Sequence, residues 1–121
     1  MEPETIKFLD EKYPKEKRGS VEKLNIRDKG LKGHLDLREF VNLEKLYCND
    51  NQLTSLDLSK NINLNELRCY NNELTSLDVS HNPKLINLYC DAELFTENKI
   101  IGLEKTSIIR LDCRGGDLLH E

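Results

Sequence analysis

Apolar residues recur along this chain on a schedule. Leu46, Leu67, Leu88 and Leu111 are each followed two residues later by a cysteine, Cys48, Cys69, Cys90 and Cys113, at intervals of 21, 21 and 23 residues. Three residues before each of these leucines stands another apolar side chain: Leu43, Leu64, Leu85 or Ile108. An earlier copy uses Val21, Leu24 and Ile26, with isoleucine in the cysteine slot. The segments Leu43–Asn63 and Leu64–Lys84 agree at about half their positions when laid over one another. Such a fixed period is the mark of a repeat architecture.

The spacing within one period predicts its path. Leu46-x-Cys48 places two side chains on one face of a short strand, because strand side chains alternate. Asn51 and Asn72 follow that leucine by five residues, where the chain must turn and an amide can bond unpaired backbone groups in the bend. Leu53 and Leu74 return to the interior. Leu56-Asp57-Leu58 and Leu77-Asp78-Val79 alternate again, and Ser59-x-Asn61 and Ser80-x-Asn82 turn the chain back. One turn cannot bury its own leucines, whereas stacked turns bury them at roughly 1.5–3 kcal/mol each. The expected product is an α/β solenoid of about five turns with parallel strand pairing.

Solenoid ends need covering. Residues 1–20 are read as an N-terminal capping helix and its connector, and residues 21–121 as the repeats. Pro3 suits a first helical turn, Glu2 and Glu4 suit its positive end, and Pro14 stops it. Ile6, Leu9 and Tyr13 form the predicted apolar stripe. Docking of a partner is the competing role for this helix. Lys15–Ser20 reads as a solvated basic connector. At the other end, Leu111–Glu121 offers no cap, so the chain is either part of a longer array or pairs its last strand with something, such as a second copy.

The unit L-x-x-L-x-C-x-x-N-x-L-T-S-L-D-L-S-x-N resembles the leucine-rich repeat, in a 21-residue variant with a cysteine ladder of the kind found in internalin-like repeats. The resemblance covers roughly Val21 to Leu118. It implies a curved stack with a concave parallel β-sheet and a role in binding proteins. Three turns depart from the pattern. Lys29 holds the Asn slot of the first turn, with one extra residue around Gly30–Gly33. In the fourth turn Glu93 replaces the Asn, Phe95 takes the leucine slot and two residues are inserted. Gly116 holds the Asn slot of the fifth.

Composition narrows the function. Hydrophobic residues are 37% and charged residues 33% of the 121, figures that lean towards disorder. Leucine alone accounts for 21 positions, however, and a thin solenoid needs few apolar residues if they recur in register. No apolar run approaches the ~20 residues of a membrane span. The net charge of −4 disfavours nucleic acid or an anionic membrane as partner. No signal-peptide pattern is visible, which points to the cytoplasm; the family resemblance points to export or surface display.

Candidate chemistry lies on the strands. Cys48, Cys69, Cys90 and Cys113 read as a reduced, buried ladder, since in-register parallel strands point their Cβ atoms the same way; redox or catalytic thiols are the alternative. There is no metal-ligand spacing, and no cofactor is expected. Asn51 and Asn72 complete the structural ladder. The residue between Leu and Cys faces outward in each turn: Asn25, Tyr47, Arg68, Tyr89 and Asp112. The next outward column is Arg27, Asn49, Tyr70, Asp91 and Arg114. Tyr47, Arg68 and Tyr89 are successive rungs, so the guanidinium is expected to lie between two rings. Tyr and Arg are enriched at binding hot spots, and they also stabilise exposed strands simply by packing. Tyr47, Arg68, Tyr70, Tyr89, Asn49 and Asp91 are therefore the candidate partner-binding residues. The irregular Glu93–Gly102 segment is a second candidate. Without a phosphate loop, a nucleophile elbow or convergent carboxylates, the chain reads as a non-catalytic protein-interaction module. The alternative role is a structural spacer or self-associating unit.

Overall fold

The computed structural model describes residues 1–113. It is a solenoid of about four turns with a parallel sheet and a helix at its N-terminus. Helix α1 (Pro3–Lys12) and the short α2 (Lys15–Arg18) lead into β1 (Lys23–Asn25), β2 (Lys32–Asp36), β3 (Lys45–Tyr47), β4 (Gln52–Asp57), β5 (Glu66–Arg68) and β6 (Leu77–Asp78). Strand β7 (Asn87–Tyr89), helix α3 (Ala92–Thr96), β8 (Ile100–Ile101), a 3-10 turn (Leu103–Lys105) and β9 (Arg110–Asp112) complete the described chain. Of the expected five turns, the last is represented by its strand. Arg114, Gly116 and the expected lack of a C-terminal cap lie outside the described residues.

Strands β1, β3, β5, β7 and β9 pair in that order, all in parallel, as one five-stranded sheet. Leu24, Leu46, Leu67 and Leu88 stack in register and are fully buried. The opposite side is discontinuous: β2 pairs with β4, and β6 with β8. Between Gly33 and His34 the β2–β4 register shifts by one, which leaves Thr54 of β4 without a partner in the ladder. The core runs between the two sides as ladders of Leu35, Leu37, Leu43, Leu53, Leu64 and Leu85 with their neighbours.

The bends are held by asparagines that reach back to the preceding turn. Asn51 donates from Nδ2 to the carbonyls of Ile26, Cys48 and Asn49, while its Oδ1 accepts the N–H groups of Lys29 and Leu31. Asn72 does the same one turn on, donating to Cys48, Cys69 and Tyr70 and accepting from Leu53 N–H. At the opposite bend, buried Asn61 donates to the carbonyls of Leu37 and Phe40, and Asn82 to those of Leu58 and Asn61. Asp36, Asp57 and Asp78 fix the turns after the second strand segment. Each accepts the backbone N–H two residues on, from Arg38, Ser59 and Ser80 respectively.

The fourth turn departs from expectation. Its inserted residues form α3, which buries Leu94, while Phe95 is 52% exposed. A helical turn places these two neighbours on different sides, so Leu94 takes the leucine slot and Phe95 does not. The helix takes up the two extra residues and returns the chain to register, with Leu77 opposite Ile100.

The N-terminal segment also needs correction. Helix α1 packs through Thr5 and Leu9, both fully buried, with Tyr13 partly covered; Ile6 lies outside. Thr5 Oγ1 donates to the Lys32 carbonyl and accepts the Lys32 N–H, so the helix occupies the open edge of β2. Gly33, at φ +77°, leaves room for the Glu2 side chain, which a Cβ would meet at 2.8 Å. The connector is not a solvated run. Arg18 is 3% exposed and donates to the Tyr13 carbonyl, Asp10 Oδ1 and Glu39 Oε1 at 2.6, 2.9 and 2.8 Å. Its guanidinium also sits 5.6 Å from the Phe40 ring centre, and Tyr13 meets the same ring edge-on. Phe40 stands where the next two turns carry Asn61 and Asn82, because the first turn has no preceding carbonyls to bond.

Arg18 thus joins α1, α2 and the first turn. Arg18→Ala is expected to lower stability by about 2–3 kcal/mol, the worth of charged hydrogen bonds plus a packed stem. Arg18→Lys recovers little of it, because an ammonium cannot span three acceptors as the guanidinium fork does. Urea unfolding of the two variants checks this; equal midpoints for Arg18→Lys and the parent refute the fork argument.

Candidate functional site

Strand register sets one outward column as Asn25, Tyr47, Arg68, Tyr89 and Asp112. Arg68 Cζ lies 4.4 Å from the Tyr47 ring centre and 5.1 Å from that of Tyr89. Lys23 Nζ covers the first ring from the other side at 5.1 Å. Cation and aromatic ring therefore alternate across four strands. Each contact is worth about 0.5–1 kcal/mol at an exposed site.

A second column, Lys23, Lys45, Glu66, Asn87 and Arg110, runs beside the first. Glu66 anchors the arrangement and had escaped the reading of the sequence. Only 7% exposed, it accepts Nε and Nη2 of Arg68 at 3.0 and 2.9 Å, and the Tyr47 hydroxyl at 3.2 Å. Lys45 Nζ stands 3.5 Å away and also donates to Asn65 Oδ1. Residues two apart on one strand share a face, so Glu66 and Arg68 pair by alternation alone.

These contacts govern protonation. Burial pushes the Glu66 carboxyl upward, but the hydrogen bonds and charge of Arg68, with Lys45 and the Tyr47 hydroxyl, outweigh it and hold Glu66 below its ordinary value. Burial, and then the Glu66 charge, raise the Tyr47 hydroxyl. For Arg68, burial acts downward and is overcome by Glu66, which keeps the guanidinium charged. Arg68 remains 39% exposed along its side chain. Its position is fixed before any partner arrives.

Residues 41–80 match the family described as leucine rich repeats, in two copies. The match spans β3 to β6, and the same turn, in register, continues on both sides of it. The chain carries leucine-rich repeats. No curated protein matches the chain. Leucine-rich repeats are a common protein–protein interaction module and are generally non-catalytic. Among the described residues, no group of three or more His, Cys, Asp or Glu side chains could hold a metal ion, and no helix is long and apolar enough to cross a membrane.

Not all of the predicted face belongs to the repeat's outer surface. Asn49 is 3% exposed and donates to Asp50 Oδ2. Asp91 is spent on the neighbouring bend, its Oδ1 and Oδ2 accepting the N–H groups of Asn71 and Asn72 at 2.8 and 3.3 Å. It takes over for the third turn the accepting half of the task that Asn51 and Asn72 perform for the first and second; a carboxylate has no N–H to give the carbonyls. Tyr70 is partly buried and Arg27 exposed. The misplacements share a cause. Strands end at Asn25, Tyr47, Arg68 and Tyr89, so residues two further on already lie in the bend, where alternation no longer decides orientation.

The cysteine column of the repeat is not uniformly reduced either. Cys90 and Cys113 form a disulfide with Cα atoms 4.5 Å apart, whereas Cys48 and Cys69 are free and buried. Parallel strand spacing already brings adjacent Cα atoms within disulfide reach. All four cysteines follow their strands by one residue. Cys48 and Cys69 have a rung on either side, while Cys113 is the last described rung and half-buried. Burial pushes the Cys48 thiol up to about 12 and raises that of Cys69 well above its ordinary value, with the Cys48 and Asp91 charges adding to the latter.

At pH 8 a thiol with a pKa near 12 is ionised in about one molecule in ten thousand. Native protein is therefore expected to resist thiol reagents, denatured protein to yield two thiols, and denatured, reduced protein to yield four. Four thiols without reductant contradict the disulfide, and rapid native labelling contradicts the burial.

The carboxylates predict a pH dependence as well. The hydrogen bond from Arg38 holds Asp36 at about 2, and hydrogen bonds from Ser59 and Ser80 hold Asp57 and Asp78 low, as Glu66 is held low. Groups with a depressed folded-state pKa stabilise fully above their unfolded values of about 4 and lose that contribution as pH falls below them. The melting temperature should be level from about pH 5 to 7 and fall below about pH 4. Glu66→Gln should make the acid limb shallower; an unchanged limb refutes the role given to Glu66.

Proposed function

We propose that the protein is a non-catalytic binding module that captures another protein on the outer face of its five-stranded sheet, the concave face in the family it resembles. Tyr47, Arg68 and Tyr89 are the contact centre, with Tyr70 at the margin. The carrying observation is the Arg68 guanidinium, fixed between two tyrosine rings by a buried carboxylate and still accessible. Side chains of this kind dominate binding energies, and ordering them beforehand removes a cost of about 0.5–1.5 kcal/mol per side chain on association. The Cys90–Cys113 disulfide supports placing the protein in an oxidising compartment rather than the cytoplasm, since such bonds persist there.

A second reading, self-association through β9, draws on Leu111, which is 36% exposed where Leu24, Leu46, Leu67 and Leu88 are buried. Sedimentation velocity distinguishes it: a dimer lost on Leu111→Glu supports it, and a monomer at all concentrations removes it.

The main reading is tested by photo-crosslinking from the face. A photoreactive residue at Asn87 is expected to trap a specific protein from the source lysate, and Tyr47→Ala with Tyr89→Ala to reduce that capture at least about tenfold. The same pair should cost no more than about 1–2 kcal/mol of stability, because both rings are partly solvated. Unchanged capture by the double variant refutes the assignment.

A further inference from the structure

The geometry points to an acidic, extended segment of a partner protein as the occupant of this face. The inference rests on the reading of the sheet as a binding surface and adds what the surface selects. The chain carries a net charge of −4, yet its sheet face has the opposite sign. Over the outward positions of the first three sheet strands the cations are Lys23, Lys45 and Arg68, and Glu66 is the carboxylate; in the bends beyond them Arg27 stands beside Asp28, and Asp50 follows β3. Glu66 is buried and already committed to Arg68, Tyr47 and Lys45. It positions Arg68 and Lys45 and offsets one of their two charges, so the cations stay in excess. Beyond these strands Arg110 continues the basic column, and Asp112 is itself engaged.

The cations are also presented in a way that suits carboxylates set along a chain. Lys23 and Lys45 are direct strand partners about 4.8 Å apart, and Arg68 lies on the next strand in the neighbouring column, opposite Tyr47, so the positive groups cross the sheet on a diagonal. An extended peptide crossing the strands would meet one cation per step or two, with aromatic rings between them for its apolar residues. Charge complementarity of this kind sets orientation and accelerates association. A nucleic acid could use the same cations, but it brings a phosphate at every nucleotide, and the acidic remainder of the molecule, including Asp28 and Asp50 at the bends above the strands, repels so dense a charge more than it repels a segment with a few carboxylates. A protein segment, with few charges and mixed side chains, fits better than a polyanion.

The test is selection from a random dodecapeptide display library on the full chain, run in parallel on the parent, on Lys23→Glu with Arg27→Glu, and on Tyr47→Ala with Tyr89→Ala. Lys7→Glu with Lys60→Glu, which reverses exposed charges away from the sheet, serves as the control. The parent and the control are expected to enrich peptides rich in Asp and Glu. A synthetic copy of the best peptide should bind the Lys23/Arg27 variant at least about tenfold more weakly, and should bind the parent more weakly as salt is raised. Thermal melts show that each variant is folded. Enriched peptides that need the tyrosines but are not acidic overturn this inference and leave the binding face standing. Enrichment that ignores the tyrosines overturns both. A fluorescent single-stranded dodecanucleotide that binds as tightly as the best peptide at physiological salt overturns the choice of a protein partner.

Discussion

A coil only one side-chain layer thick has to bend twice in every turn, and each bend leaves backbone groups facing a dry interior. Unpaired, such groups cost about 1–3 kcal/mol apiece. In this protein the bends are closed by amides that reach into the preceding turn. Asn51 alone satisfies three carbonyls and two N–H groups belonging to two successive turns. The bond therefore stitches turns together at the same time as it completes one, and the leucine ladders are buried only because this stitching keeps the turns in register. Where the pattern fails, another residue takes over part of the duty. Asp91 accepts the bend N–H groups of the third turn.

The first turn shows what happens when there is no preceding turn to stitch. At the bend where the next two turns carry Asn61 and Asn82 it holds Phe40, and the exposed edge is taken up by a helix that lends Thr5 to β2 and Leu9 to the core. Arg18 then binds the helix, the connector and the first turn, using a guanidinium over the Phe40 ring. The end of the stack is thus made by Phe40 together with the helix and the arginine packed against it.

What could be read from the sequence follows from the same division. Positions that recur every 21 residues and lie within strands were legible, because their environment is the same in each turn: the leucine ladders, the bend asparagines and the Tyr47–Arg68–Tyr89 column all stand as the spacing places them. Positions that depend on a single long-range partner were not. Arg18 looked like part of a solvated charge run because its acceptors, Asp10 and Glu39, lie on either side of it in sequence and meet only in the fold. Glu66 looked like an ordinary surface residue for the same reason. Asn49 and Asp91 were misread at the point where strand parity stops, and the Cys90–Cys113 bond joins two rungs that alternation alone leaves unpaired. Phe40 was the one overlooked signal that the sequence did hold, an aromatic ring in a slot that is Asn in the next two turns.

The interaction face grows out of these constraints. Inward positions are committed to leucine and bends to Asn or Asp, so the outward strand positions are where the sequence is free to vary without unfolding the coil. Across them the protein carries aromatic rings, cations and a buried carboxylate that holds them apart. A sheet that needed only stability could use Thr or Val at these exposed positions and would avoid the cost of taking Glu66 out of water. The partly buried ion pair instead keeps Arg68 from folding away onto solvent or onto one ring. Its consequence is geometric rather than energetic: the guanidinium stands at a defined place, flanked by two flat surfaces, on a molecule otherwise acidic. That is an arrangement suited to receiving a carboxylate.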